Sequence, residues 1–290
     1  MNENQSALAD LRREIDDLDE ALHGLLMKRA AVVSRIAVEK ARGGDAGPPI
    51  RPGREAEILR RRIKAHKGPL PPAVLAGIWR EIIAGFTRLQ GKVDVALFAP
   101  RKSASYWDLA RSHFGGGTPI TLHASAAVVI DAITAGDAAV GVLPVPETNE
   151  QNPWWPQLIT TSPRAPQIVA RLPFVTEQTG GEALEAVVVA AVDHEATSED
   201  RTYVAIGSRV EVSRARILGA FRTAGLEARV LARMAPQHQT MGGQFSEWLD
   251  LLELDGYVRR ADPRLNVAIG GEVGADRAVV LGGYSILLKV

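Results

Sequence analysis

The sequence predicts a multidomain protein: an all-α N-terminal part of three helices over 1–91, then an α/β region over 92–290. Three observations carry this. Residues 6–42 hold one apolar stripe, with Leu8, Leu11, Ile15, Leu18, Leu22, Leu25, Val32 and Ile36 recurring every three or four positions, the period of a single helical face. Breaker clusters then divide off two further helices before Lys92. Beyond Lys92, short apolar runs of strand length alternate with helical stretches, the pattern of a parallel α/β layer.

The first helix ends at Gly43, Gly44, Asp45, Ala46, Gly47, Pro48 and Pro49, a loop that no helix can enter. A short second helix starts near Pro52, tolerated in a first turn, and carries Glu55, Ile58, Leu59 and Ile63 at helical spacing. After a second breaker at 66–72, a third helix places Val74, Ile78, Ile82, Ile83, Phe86 and Leu89 on its buried side, with Gln90 at its end. In the remainder, 93–99, 118–124 and 138–145 read as strands around helices at 105–114 and 126–135. The proline-rich stretch 146–166, containing Trp154 and Trp155, reads as a long loop or crossover, able to cover another surface. A second alternation follows: strands at 186–192 and 202–210, a helix at 213–223, then strands at 228–234, 245–254, 267–269 and 278–288.

Composition narrows the function classes. Apolar residues make up 46% of the 290, enough for an ordinary core. There is no cysteine, hence no disulfide framework, thiolate nucleophile or cysteine metal site, which suits a reducing cytoplasm. The polar N-terminus lacks a signal-peptide pattern and no apolar run reaches membrane-spanning length, so no membrane association is expected. Formal charge is zero, but 1–91 carries 16 Lys and Arg against 12 Asp and Glu. The run Arg60, Arg61, Arg62 and Lys64 has no interleaved aromatic residue. It reads as a solvated helix face rather than a nucleic-acid patch.

Two features of the first helix bear on function. Arg29 and Lys40 break its stripe where an apolar residue is wanted, and eleven positions bring them within roughly 20° of each other round the cylinder. They face the same space, either holding one small anion between them or snorkelling from a coiled-coil seam. Arg12 lies about 100° away from Arg29 and serves another surface, such as a partner's. A helix of this length, roughly 50 Å, exceeds what the next fifty residues can cover, so a dimer of mutually covering helices is expected. The remaining special positions, Arg51, Arg54, Glu55 and Gln90, are mostly donors. Such a set suits a compact substrate with more than one carboxylate, and neither a nucleophilic triad nor a metal site is present in the pattern.

The stretch Leu11-Arg12-Arg13-Glu14-Ile15-Asp16-Asp17-Leu18-Asp19, followed by Arg29, Lys40 and Ile50-Arg51-Pro52-Gly53-Arg54-Glu55, resembles the all-helical class of chorismate mutase over about the first 91 residues. The resemblance implies an entwined homodimer converting chorismate to prephenate with no cofactor and no covalent intermediate. It implies that Arg29 and the partner subunit's Arg12 bind the two carboxylates, with Arg54 bordering the pocket. Lys40 and Gln90 would donate to the ether oxygen of the breaking bond, and Glu55 would accept from the ring hydroxyl. Arg51 departs from the pattern, since the family often has an acidic residue there, and Phe86 stands where some members have a small polar one.

The rest resembles a prephenate dehydratase more faintly, through 93–100, Ser103 to Tyr106, and Gly136-Asp137-Ala138-Ala139-Val140-Gly141-Val142-Leu143-Pro144 followed by Glu147. That family's Thr-Arg-Phe is replaced by Arg201-Thr202-Tyr203, out of register, and little more than fifty residues separate it from Glu147. The expectation is a degenerate dehydratase-like region over 92–200 and an ACT-like region over 201–290. In that reading Ser103, Thr148 and Thr202 are structural. The main expectation is a chorismate mutase of aromatic amino-acid biosynthesis with a non-catalytic C-terminal region. Alternatives are a bifunctional mutase and dehydratase, an isochorismate-pyruvate lyase, and a non-enzymatic regulatory subunit.

Overall fold

A computed structural model describes residues 3–44, 47–100, 103–148, 150, 152–160, 162, 165–176, 184–236, 247–270 and 274–290. The loop residues Asp45 and Ala46, the start of the strand expected at 245–254, and the side chain of Ser103 lie outside the described residues.

Three helices come first: α1 (Glu3–Arg42), α2 (Pro52–Lys64) and α3 (Pro72–Arg88). Both α2 and α3 have proline in the first turn, where the missing N–H costs no hydrogen bond. At 40 residues α1 is roughly 60 Å long. Its apolar stripe lies open: Leu8, Leu11, Ile15, Leu18, Leu22 and Leu25 are each about half exposed, and Val33 is its one buried apolar residue among those described. The buried face of α3 is Ala76, Arg80, Ile83 and Ala84. This corrects the expected face, for Val74, Ile78 and Leu89 are exposed. Small residues admit the close approach of α2, and the bulkier stripe is left outside.

The α/β region runs β1 (Val95–Leu97), α4 (Ser103–Phe114), β2 (Ile120–Leu122), α5 (Ala126–Ala135) and β3 (Val140–Pro144), followed by a 3₁₀ turn (Trp155–Leu158). It continues through β4 (Gln167–Leu172), β5 (Val175–Thr176), β6 (Ala186–Ala190), β7 (Asp200–Ser208), α6 (Arg214–Thr223) and β8 (Ala228–Met234). Last come β9 (Trp248–Asp255), α7 (Pro263–Ile269), β10 (Arg277–Ser285) and β11 (Leu288–Lys289). Nine strands form one sheet in the order β2-β1-β3-β6-β4-β10-β7-β9-β8, and β5 pairs with β11 separately. The layer is mixed rather than parallel. Strands β2, β1 and β3 are parallel, as is β4 with β10, while β6, β7, β8 and β9 pair antiparallel with their neighbours. The boundary expected at 200/201 falls at the first residue of β7, and strands from both sides share the sheet.

Two further expectations change. The apolar triplet 267–269 is the end of α7, because the Asp262 side chain caps the helix by accepting from Arg264 N at 3.0 Å and Pro263 fits its first turn. The segment holding Trp154 and Trp155, read as a loop able to cover another surface, lies over the sheet. Both tryptophans are buried in the core against the sheet, and Trp154 Nε1 donates to Pro144 O at 3.1 Å. The basic run on α2 is solvated at Arg61, Arg62 and Lys64 but not at Arg60. Arg60 reaches Thr197 Oγ1 at 3.1 Å, Glu199 O at 3.1 Å and Ile286 O at 2.8 Å.

The helices and the sheet therefore share surface. Ala56, Leu59 and Ile83 form one buried cluster with Phe174, flanked by Val175 and Leu288. Across this seam Gly116 N donates to Glu81 Oε1 at 2.9 Å and Arg88 Nη1 to Thr118 Oγ1 at 2.5 Å.

Candidate active site

A cavity of about 240 Å³ opens where α1, α2 and α3 meet, and six of the seven residues singled out in the sequence line it: Arg29, Lys40, Arg51, Arg54, Glu55 and Gln90. Helix α1 supplies Arg29 and Lys40 from one face, with Val33 and Ile36 between them. Helix α2 and its N-cap supply Arg51, Arg54 and Glu55, and α3 supplies Ile83, Phe86 and Thr87, with Gln90 in the turn after it. Arg12 does not reach the cavity. It is exposed on α1, 17 residues before Arg29 and so roughly 25 Å away along the axis.

The cavity is rich in cations, with Arg29, Lys40, Arg51 and Arg54 against the one carboxylate of Glu55 among its described lining residues. Arg29 lies 4.2 Å from the Phe86 ring centroid in a cation–π contact, which explains the large residue at 86: its ring carries the guanidinium into the cavity. Arg29 Nη1 is buried and, among the described residues, has no hydrogen-bond partner. Burial, and then the charge of Arg54, holds Arg29 below the usual arginine range. Two crowded guanidinium groups, one with a buried donor left over, carry a desolvation and repulsion cost that a nearby anion would offset. Gln90 Nε2 makes one long bond to Phe86 O, at 3.4 Å.

Glu55 is the acidic group of the cavity, and its environment contains two residues that the sequence reading did not name. Arg80, on α3, places Nη1 3.3 Å from Glu55 Oε2, with both side chains largely buried. Burial raises the Glu55 carboxyl above the normal range, an effect that Arg80 opposes and the charge of Glu195 reinforces. Burial brings Arg80 down to about 10 despite the attraction of Glu55. A sequence signal for Arg80 existed: a cation three and four positions from Ile83 and Ala84, the same break in an apolar face that marks Arg29.

Glu195 comes from the segment between β6 and β7. One carboxylate oxygen accepts from Arg51 Nε, and the other from Arg54 N at 3.2 Å. Glycine at 53 permits this, because a Cβ there would stand 2.7 Å from Glu195 Cβ. Arg51 is thus paired with a carboxylate from the α/β region at the lip of the cavity. No sequence signal connects the two, which lie 144 positions apart.

The motifs matched to the dehydratase pattern are held differently. Thr202 is fully buried, its hydroxyl donating to Gly256 O at 2.8 Å and accepting from Val258 N at 3.0 Å. Arg201 pairs with Asp255 at 3.0 Å, and Thr148 Oγ1 donates to Leu231 O at 2.6 Å. Tyr203 is buried, and among the described residues its hydroxyl has no partner.

Fold and site together define a three-helix domain, with a cation-lined cavity, packed on an α/β sheet. Residues 11–91 match the sequence model of the family described as Chorismate mutase type II, and this N-terminal part is a domain of that family. Two curated relatives are bifunctional chorismate mutase/prephenate dehydratases. The one from Pseudomonas aeruginosa is 33% identical over 150 residues, 51% of this chain and 41% of the relative. The one from Aquifex aeolicus is 33% identical over 148 residues, 49% of this chain and 40% of the relative. The matches thus span about two fifths of the length of those relatives. Among solved structures, a quorum-quenching acylase, GqqA, is similar at a TM-score of 0.45 with 17% identity, covering 66% of this chain and 94% of its own. A prephenate dehydratase from Streptococcus mutans is similar at a TM-score of 0.44 with 13% identity, covering 69% and 100%. Among the described residues no helix is long and apolar enough to cross a membrane.

Proposed function

We propose that the chain is a cytoplasmic chorismate mutase, acting as a homodimer with no cofactor. The observation that carries this reading is the buried, unpartnered Nη1 of Arg29, facing a cavity it shares with Arg54, Lys40 and Gln90. Arg29 binds one substrate carboxylate and Arg12 of the partner subunit the other, in a dimer that covers the exposed stripe of α1. Lys40 and Gln90 donate to the ether oxygen as its bond breaks, where charge accumulates in the rearrangement. Glu55 accepts from the ring hydroxyl, and Arg54 closes the wall. Since the reaction is unimolecular and pericyclic, the protein contributes a held conformer and oriented donors, and no nucleophile or proton transfer is required.

The α/β part, divided as 92–200 and 201–290 around a shared sheet, acts in this reading through Glu195 and the seam with α2 and α3, without chemistry of its own. In support, the Thr202 hydroxyl is committed to two backbone groups. Incubating the full chain with chorismate and identifying the product is the test. Prephenate formed above the spontaneous rate supports the reading, and an unchanged rate rejects it. Pyruvate released from isochorismate would move the assignment to a lyase, and phenylpyruvate appearing from prephenate would restore a bifunctional enzyme.

A further inference from the structure

Behind the proposed active site lies a second cavity, of about 210 Å³, between α3, α4 and the turn joining β4 to β5. Its walls include Ala73, Ala76, Gly77, Ser112 and Phe174, and its one strong cation is Arg80. No carboxylate is among its described lining residues. His113 faces it and is held neutral, well below the usual histidine range, by burial and then by the charge of Arg80. Ser112 Oγ already donates to Leu109 O at 2.9 Å.

Arg80 is the unusual member. Its side chain is 8% exposed, it lies 5.2 Å from the Phe174 ring centroid, and among the described residues its hydrogen-bond acceptor is Glu55 alone, through Nη1 at 3.3 Å. A guanidinium has five N–H donors, and among the described residues only Nη1 has a protein acceptor, so the remaining donors are free for another. Such a group calls for a second acceptor, and the space beside it is walled by small apolar side chains and an aromatic ring. At this volume the space is smaller than a drug-sized pocket.

We propose that this cavity is a second ligand site, taking a small monocarboxylate with a flat apolar body, bound through Arg80. Occupancy competes with Glu55 for the guanidinium. It thereby loosens the residue that holds Glu55 at the wall of the first cavity and lowers the activity there. The coupling half of the inference rests on the mutase reading, and the binding half does not.

The test is titration of the full chain with benzoate, using benzamide as the uncharged control, by calorimetry and ligand-observed NMR. Benzoate should bind with a dissociation constant on the order of millimolar and benzamide at least tenfold more weakly. Binding should survive Arg29→Ala with Lys40→Ala, which strips cations from the first cavity. It should be lost in Ala73→Phe and in Gly77→Leu, two independent ways of filling the second, each checked for folding by circular dichroism. In the wild type, benzoate should lower kcat for chorismate with KM little changed, and the two filled variants should turn over normally and be insensitive. Binding that persists in both filled variants, or that vanishes with Arg29 and Lys40, overturns the site, as does no binding at all. If the chain turns over no chorismate, the mutase reading fails while the binding arm still decides the site. Binding without any change in an active enzyme overturns the coupling.

Discussion

Replacing Glu195 by Gln separates the contribution of the α/β region to the active site from mere packing. The variant keeps the size of the side chain and one neutral acceptor but removes the charge that engages Arg51 Nε and Arg54 N. The structural cost is small. The Arg51 side chain is 57% exposed, so the ion pair is worth at most about 1 kcal/mol after screening, and the bond to Arg54 N is weakened rather than lost. The catalytic effect has two parts of the same sign at Glu55. The repulsion between the two carboxylates disappears, worth on the order of 0.5–1 kcal/mol near a protein surface, and Arg51 is freed beside the cavity. Both favour the ionised form of Glu55, so the acid limb of the kcat/KM profile should move to lower pH. Near neutrality the freed Arg51 competes with substrate for Glu55, and kcat/KM should fall by about fivefold, equivalent to roughly 1 kcal/mol. Chorismate turnover followed from pH 4.5 to 8.5, with urea unfolding in parallel, reads both quantities. An acid limb that stays in place with kcat/KM unchanged would show that Glu195 holds α2 and nothing more.

Lys40→Ala should reduce kcat by 10²- to 10³-fold, since one donor aimed at a developing oxyanion is worth about 3 kcal/mol, with the circular dichroism spectrum unchanged; turnover within a few fold of wild type would remove Lys40 from its role. Mixed Arg12→Ala and Arg29→Ala subunits, each inactive alone, should recover activity on subunit exchange, because both defects then fall in one site of the heterodimer and leave the other intact. No recovery would place Arg12 in the site of its own chain. Burial lowers His194 from 6.5 to about 4 against the opposing charges of Asp200 and Asp193. The unfolded chain therefore binds the extra proton between those values, and stability should drop as pH falls from 6.5 toward 4, by up to about 3 kcal/mol from this residue. His194→Gln should flatten that part of a urea-midpoint profile, and an identical slope in wild type and variant would assign the acid sensitivity elsewhere.

The helical part was legible because its signals are local. A cation at 29 or 40 within an apolar stripe is visible in one helix, and both line the cavity. Arg80 gave the same signal on α3 but was hidden by the bulkier row Val74, Ile78, Ile82, Phe86 and Leu89, which attracts a hydrophobicity argument more strongly than Ala76, Ile83 and Ala84. Exposure of Val74, Ile78 and Leu89 shows that the bulkier row is not what α3 buries within the chain. The strand β4 was unreadable for another reason. Arg171 interrupts it, and only the structure shows that charge satisfied by Glu185 and by Glu253 at 3.5 Å. Strand direction was equally out of reach: β6 is an unbroken apolar run, as expected of a strand buried on both faces, yet it is antiparallel to β3 and β4. Glu195 had no local signal, because its meaning depends on contacts made more than 140 positions away.

One consequence concerns how far the helical part stands alone. Helix α2 presents Arg54, Glu55 and Ile58 to the proposed active site, while its other side is held by the α/β region. Ser198 N and Oγ donate to the Glu57 carboxylate at 2.9 and 2.8 Å, and Arg60 reaches carbonyls of Glu199 and Ile286. Below these bonds Ala56, Leu59 and Ile83 are buried against Phe174. A fragment ending at residue 91 would expose that cluster. Loss of the Phe174 cover alone amounts to about 1.5–3 kcal/mol, and several charge-assisted bonds add about 1 kcal/mol each. That is a large share of a typical domain's stability, so the fragment should unfold at markedly lower urea than the full chain and bind chorismate weakly. Its loss of activity would then report a missing wall rather than missing chemistry, a distinction that Glu195→Gln makes in the intact protein. A 1–91 fragment as stable and as active as the full chain would refute this account of the seam.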